Sequence, residues 1–228
     1  IQKYYNRCAE QGANEEQIEE SKRAMSRMTA ILGHPDRLKK LAADIVQHYE
    51  TLCDEKPEIV QKAMIVCADR KLAFRVLKEI LKLRPDWGVA KKCEDESAVP
   101  AEDLEQMTEI PKINLVATRN PDDEKELFDL CGTKEYRQKL DQLFKDTKSN
   151  FKIAIVVDMW ITGFDVPSLA VMYIDKPLQK HTLIQTISRV NRVFEGKDKG
   201  LIVDYIGIKA EMMEAIKIYG GPQESPVD

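Results

Sequence analysis

The chain has 228 residues, of which 43% are hydrophobic and 32% charged, with 35 Lys and Arg against 39 Asp and Glu. This is too apolar for a disordered chain and long enough for one sizeable core, or one core with a small helical attachment. The net charge of -4 gives no global attraction for nucleic acid, so any such contact must come from a local patch.

No apolar run approaches the ~20 residues of a membrane span, and the polar, acidic stretch 1–20 does not read as a secretory signal. The expected setting is the cytoplasm, with no membrane partner. The chain opens on Ile1 and closes on GGPQESPVD, as a piece of a longer protein would. Its cysteines (Cys8, Cys53, Cys67, Cys93 and Cys131) are odd in number and widely spaced, and its three histidines are scattered. Neither a disulfide framework nor a metal site is expected.

The first 55 or so residues read as helical. One helix covers 14–32, and His34-Pro35-Asp36 opens a second, with Pro35 suited to a first helical turn. Along it Leu38, Leu41, Ala42, Ile45, Val46 and Tyr49 recur at helical spacing until Pro57 breaks the pattern. Strands then alternate with helices. The run 63–68 (AMIVCA) suits a strand buried on both faces, and Asp69 is placed to cap a helix over 70–83. The stretch 85–110 is charge-rich and weakly periodic, and is expected to be a mobile loop or insertion. A strand at 113–118 precedes mostly helical sequence over 122–146, interrupted near Gly132, with Pro121-Asp122 as a helix start. Three more apolar runs follow at 152–159, 169–174 and 201–205. Such alternation predicts a parallel sheet covered by helices, whose functional residues sit at the carboxyl ends of the strands.

Two stretches carry the chemistry. The loop WITGFDVPS (160–168) offers the Thr162 hydroxyl, the Asp165 carboxylate and the permissive backbone of Gly163. Gly, Asp and Pro are also ordinary turn residues, so a plain strand-to-strand connection stands beside the functional reading. The second stretch, HTLIQTISRVNRVF (181–194), reads as an amphipathic helix. At about 100° per residue, Gln185, Arg189 and Arg192 fall within roughly 60° of one another. Leu183, Ile184, Ile187, Val190 and Phe194 gather opposite. Forked, permanently charged guanidinium groups match phosphate oxygens, so this stripe suits a terminal phosphate. A solvated surface is the alternative, with Thr182 and Gln185 forming a capping box. Between 175 and 199 there are six Lys or Arg against three acids, a patch suited to salt-sensitive, sequence-blind contact with DNA phosphates or merely to water.

Taken together, ITGFDVPSL and QTISRVNRV resemble motifs V and VI of superfamily 2 helicases and translocases. The wider run from KIAIVVDM to LIVDYIGI is similar to the motor subunit of type I restriction enzymes, with weaker similarity in HPDRLKKLAADIVQHYE, MIVCADRKLA and LFDLCGTKEYRQKL. The resemblance implies an α/β fold, a RecA-like parallel sheet flanked by helices, forming the second of two motor domains. It implies ATP and Mg2+ held mainly by the first domain. Gln185, Arg189 and Arg192 match the Q-x-x-G-R-x-x-R pattern, with Ser188 where that pattern has Gly, and the two arginines would serve the transferring phosphate. Gly163 and Asp165 match the Gly-x-Asp of motif V on the nucleotide side. Thr162, and Arg70 at the motif IV position, would face DNA. The implied partners are double-stranded DNA, the first motor domain and nuclease domain of the same subunit, and the methylation and specificity subunits.

No G-x-x-x-x-G-K-[ST] phosphate loop is present, so this chain alone is not expected to turn over ATP. Glu195-Gly196-Lys197 matches a nuclease E-x-K by letter but falls in a turn. The expected division is a helical lead-in over 1–56, the motor domain over 57–219 with its insertion at about 85–110, and a linker tail over 220–228. Another superfamily 2 remodeller, or a non-catalytic α/β interaction module, are the alternatives.

Overall fold

The structure is a computed structural model that describes residues 15–207, apart from 162, 163, 179, 195 and 198. The sheet forms as expected: five strands, all parallel, in the order β2-β3-β1-β4-β5. They are β1 (Lys62–Cys67), β2 (Ile113–Val116), β3 (Ile153–Val156), β4 (Leu169–Asp175) and β5 (Leu201–Asp204). Strand β1 is buried along its whole length. Its alternate side chains serve two cores: Ala63, Ile65 and Cys67 on one face of the sheet, Met64 and Val66 on the other.

Helices cover both faces. On the first lie α2 (Pro35–Glu55), α3 (Arg70–Leu83) and α5 (Lys125–Cys131), and on the second α6 (Lys134–Lys145) and α7 (Lys180–Val190). Helix α1 (Glu15–Leu32) leads into α2, whose six expected apolar positions are all buried. They share one core with β1 and α3, so α2 packs directly on the sheet. The Asp69 carboxylate accepts from the Leu72 amide at 2.8 Å and caps α3 as its sequence position requires.

Two expectations change. The stretch 85–110 is folded onto the body: Trp87, Cys93 and Ile110 are buried, and Lys91 bridges to Ile110 through paired backbone hydrogen bonds. It contains a six-residue helix, α4 (Ala101–Gln106). Trp87 sets its ring edge against Tyr49 of α2, with centroids 5.8 Å apart. Three anchors dispersed among charges leave no periodic signal, so the sequence reads as a loop. Helix α5 begins at Lys125, not at Pro121-Asp122, because the Asp123 carboxylate turns back to accept from the Asn120 amide and closes a local turn there.

The β3–β4 connection determines where the candidate site lies. Parallel neighbours normally need a helical crossover, yet no helix separates these strands. The loop 157–168 itself returns along the second face, burying Trp160, Ile161, Phe164 and Val166. It starts at the carboxyl end of β3 and finishes at the amino end of β4, where the Lys62 amide donates to Ser168 O at 3.0 Å.

Candidate functional site

Helix α7 forms because Leu183 and Val190 are fully buried, with Ile187 packed beside them. Thr186 is also fully buried, its hydroxyl donating to Thr182 O at 2.7 Å. The helix begins at Lys180, so Thr182 already lies inside it and the capping box does not form. It ends at Val190, short of the expected 194. The Asn191 amide closes the last turn on Ile187 O, and the chain turns away. Gly200 makes this exit possible: a Cβ there would lie 2.3 Å from Val190 O. The chain then reverses through Gly196, whose φ of 75° suits glycine, between the bridged residues Phe194 and Lys197. The Glu195-Gly196-Lys197 match therefore sits in a turn. Lys197 donates to Pro167 O at 3.1 Å, and its burial lowers the pKa of its amine.

This exit carries Arg192 beyond the helix and onto the loop 157–168. Its Nε lies 3.4 Å from Asp165 Oδ1, with both side chains about half exposed. Phe164 and Val166 are buried on either side of Asp165, which leaves its carboxylate pointing outward. Gln185 is exposed. Arg189, in the last turn of α7, is half-buried, and its Nε is buried without a hydrogen-bond partner among the described residues. The two motif-bearing stretches thus meet. The expected location is corrected: α7 leaves the carboxyl end of β4 and runs back, so Arg192 and Asp165 meet towards the amino end of the sheet.

Thr162 and Gly163 lie outside the described residues. Arg70 stands at the carboxyl end of β1 and donates to Asp123 Oδ1 at 3.0 Å, a carboxylate only 1% exposed. Two neighbouring cations are tied in the same way. Lys176 donates to Val157 O at 3.1 Å and to the Asp158 carboxylate. Arg37 pairs with Asp175, a fully buried carboxyl that burial pushes up in pKa and Arg37 pulls back down. Of the expected basic patch, Lys176 and Lys197 therefore already have partners within the chain, while Lys199 is exposed.

The family model for type I restriction enzyme subunit R domain 3 matches residues 87–207, a span that contains both halves of the Arg192–Asp165 contact. The HindI endonuclease subunit of Haemophilus influenzae is 36% identical over 193 residues, or 83% of this chain. This chain belongs to the type I restriction enzyme R subunits. Another relative in the family, the MjaIXP endonuclease subunit of Methanocaldococcus jannaschii, is 36% identical over 94% of the chain. The chain spans 16% and 18% of the lengths of these two R subunits. Among solved structures, a fragment of a type I restriction enzyme HsdR subunit from Vibrio vulnificus matches at 14% identity and a TM-score of 0.49, covering 76% of this chain and 29% of that one.

The sequence reading missed the aromatic residues that hold the R-subunit loop. Trp160 and Phe164 stack at 4.2 Å with their planes 6° apart, and Phe144 of α6 stacks on Trp160 at 5.4 Å. The available signal was the spacing of Trp160 and Phe164 around the Gly-x-Asp, together with the unassigned Phe144 and Phe151.

Proposed function

We propose that this chain is the second motor domain of an R subunit that translocates double-stranded DNA at the expense of ATP and, in the full subunit, serves DNA cleavage in the cytoplasm. The observation that carries the reading is the meeting of Arg192 and Asp165, with Gln185 exposed and Arg189 under-partnered nearby. These donors suit a phosphate: the guanidinium of Arg192 has only a half-exposed carboxylate at 3.4 Å as its partner, a contact that solvent weakens. ATP with Mg2+, when bound mainly by the first motor domain, supplies the phosphoryl group whose transfer drives movement. Arg192 and Arg189 would place positive charge beside the terminal phosphate, where charge grows in the transition state. Gln185 would orient it, and Gly163 and Asp165 would link that side to the DNA side, where Thr162 and Arg70 are the proposed contacts. Nuclease, methylation and specificity functions would come from the rest of the subunit and its partners. We assign 57–219 to this domain, with α2 contributing to its core, 1–56 as the lead-in and 220–228 as a tail.

The test is DNA-stimulated ATP hydrolysis by the intact subunit carrying Arg192→Ala, with thermal unfolding measured on the same sample. An arginine at the transferring phosphate predicts a loss of about a hundredfold or more with the fold intact. Equal rates would place Arg192 in water and end the motor reading of this stretch.

A further inference from the structure

The loop 157–168 joins the two ends of the sheet without a helix, so something else has to fix its path. Its start is held at the carboxyl end by Lys176, through Val157 O and Asp158. Its finish is held at the amino end by the Lys62 amide on Ser168 O and by Lys197 on Pro167 O. Between these anchors the rings of Phe144, Trp160 and Phe164 form a continuous stack. Trp160 has a φ of 68°, the one positive φ on a non-glycine residue among the described residues. A bulky side chain in that region is strained and persists only where its surroundings determine it. The stack supplies that determination, and Asp165 follows directly on Phe164.

The buttress extends into α6. Phe144 also meets Phe151 at 4.8 Å, and the Lys145 amine lies 4.8 Å from the centre of the Phe164 ring. The end of α6 is in turn gripped by the buried Lys62, which donates to Phe144 O and, at 2.6 Å, to Asp146 O. The far end of the loop is therefore fixed to α6 and β1, while its near end is fixed beside β4.

We propose that Trp160 is a positioning residue: its stack between Phe144 and Phe164 makes the loop 157–168 a stiff relay from the carboxyl end of the sheet to the Asp165–Arg192 pair. This rests on the motor reading above and adds how the two ends are tied together. A slack loop would let Asp165 and Arg192 settle independently of what happens at Asp158 and Lys176.

The experiment uses the intact subunit with its DNA and compares Trp160→Leu, Trp160→Phe and Phe164→Leu with the wild type, alongside Arg192→Ala. The readouts are the ATPase rate with and without DNA, the KM for ATP and the urea unfolding midpoint. In Trp160→Leu the ratio of DNA-stimulated to basal rate should fall about tenfold with an unchanged KM, and Trp160→Phe should restore it to within about twofold. Phe164→Leu, which opens the stack from the other side, should lower the ratio likewise, and it serves if the Trp160→Leu protein does not fold. A stimulation ratio within about twofold of wild type in the leucine variants, or both rates falling together with the folded fraction, would reduce the stack to core packing. If those results accompany an inactive Arg192→Ala, only the relay fails. If Arg192→Ala keeps its rate, the motor reading fails and the relay with it.

Discussion

The two ends of the sheet treat their cations differently. At the carboxyl end, Arg37, Arg70 and Lys176 each meet a carboxylate of the same domain, and two of those carboxylates are almost entirely buried. At the amino end, Arg192 has one half-exposed partner at 3.4 Å, and Arg189 Nε has none among the described residues. A buried carboxylate needs its cation, because leaving it unpaired costs several kcal/mol. A half-exposed arginine needs nothing from its own domain. The difference separates side chains that hold this fold together from those available to something outside it.

The largest expected effect lies at the carboxyl end. Arg37→Met leaves Asp175 buried without its partner and should destabilise the chain by about 3–5 kcal/mol, read from urea unfolding. A loss under about 1 kcal/mol would show that Asp175 finds water or a proton instead, and the contrast between the two ends would weaken. Next comes Lys62, a buried cation at the amino end whose job is structural. Burial pulls its amine down to about 7 from an ordinary value of 10.5. Between those two pH values the unfolded chain holds the proton and the folded chain does not, so stability should rise with pH across this window. The slope is at most about 1.4 kcal/mol per pH unit for one proton. It should vanish in Lys62→Met, measured by urea unfolding from pH 6.5 to 9.5. A slope unchanged by the substitution would mean that the carbonyls of α6 keep the amine charged throughout.

The smallest effect on stability should come from the site itself. Asp165→Asn removes the partner of Arg192 from a half-exposed pair and should shift stability by less than about 1 kcal/mol. A larger loss in the same unfolding assay would make the Asp165–Arg192 contact part of the fold, and would erase the distinction drawn between the two ends. Arg192→Ala should likewise leave the unfolding midpoint near that of the wild type, which is why its loss of hydrolysis is interpretable.

Much of the architecture was legible in the residues. The apolar runs located all five strands, and the 3.6-residue spacing in α2 named its six buried positions correctly, because burial along a regular element repeats with that element's own period. The cap at Asp69 was legible for a similar reason, since it depends on residues three apart. The motif letters that resembled the family's also selected the two stretches that come into contact. The reading failed where order depends on distant partners. The stretch 85–110 looked mobile because its anchors, Trp87, Cys93 and Ile110, are single apolar residues among charges. Helix α7 looked four residues too long because the turn after Val190 is shaped by Gly200, ten residues on.

The sequence by itself determined the family, the strand–helix alternation and the pairing of Gln185, Arg189 and Arg192 with Asp165 as candidates, since all of these reside in local pattern and residue type. Only the tertiary structure decided at which end of the sheet they meet. That outcome depends on a strand connection made without a helix, which turns the loop 157–168 back along the sheet and places Asp165 where α7 ends. It also decided which cations are free, because a charge finds its partner through space: Arg37 meets Asp175 across 138 positions of the chain, and no local pattern records that distance.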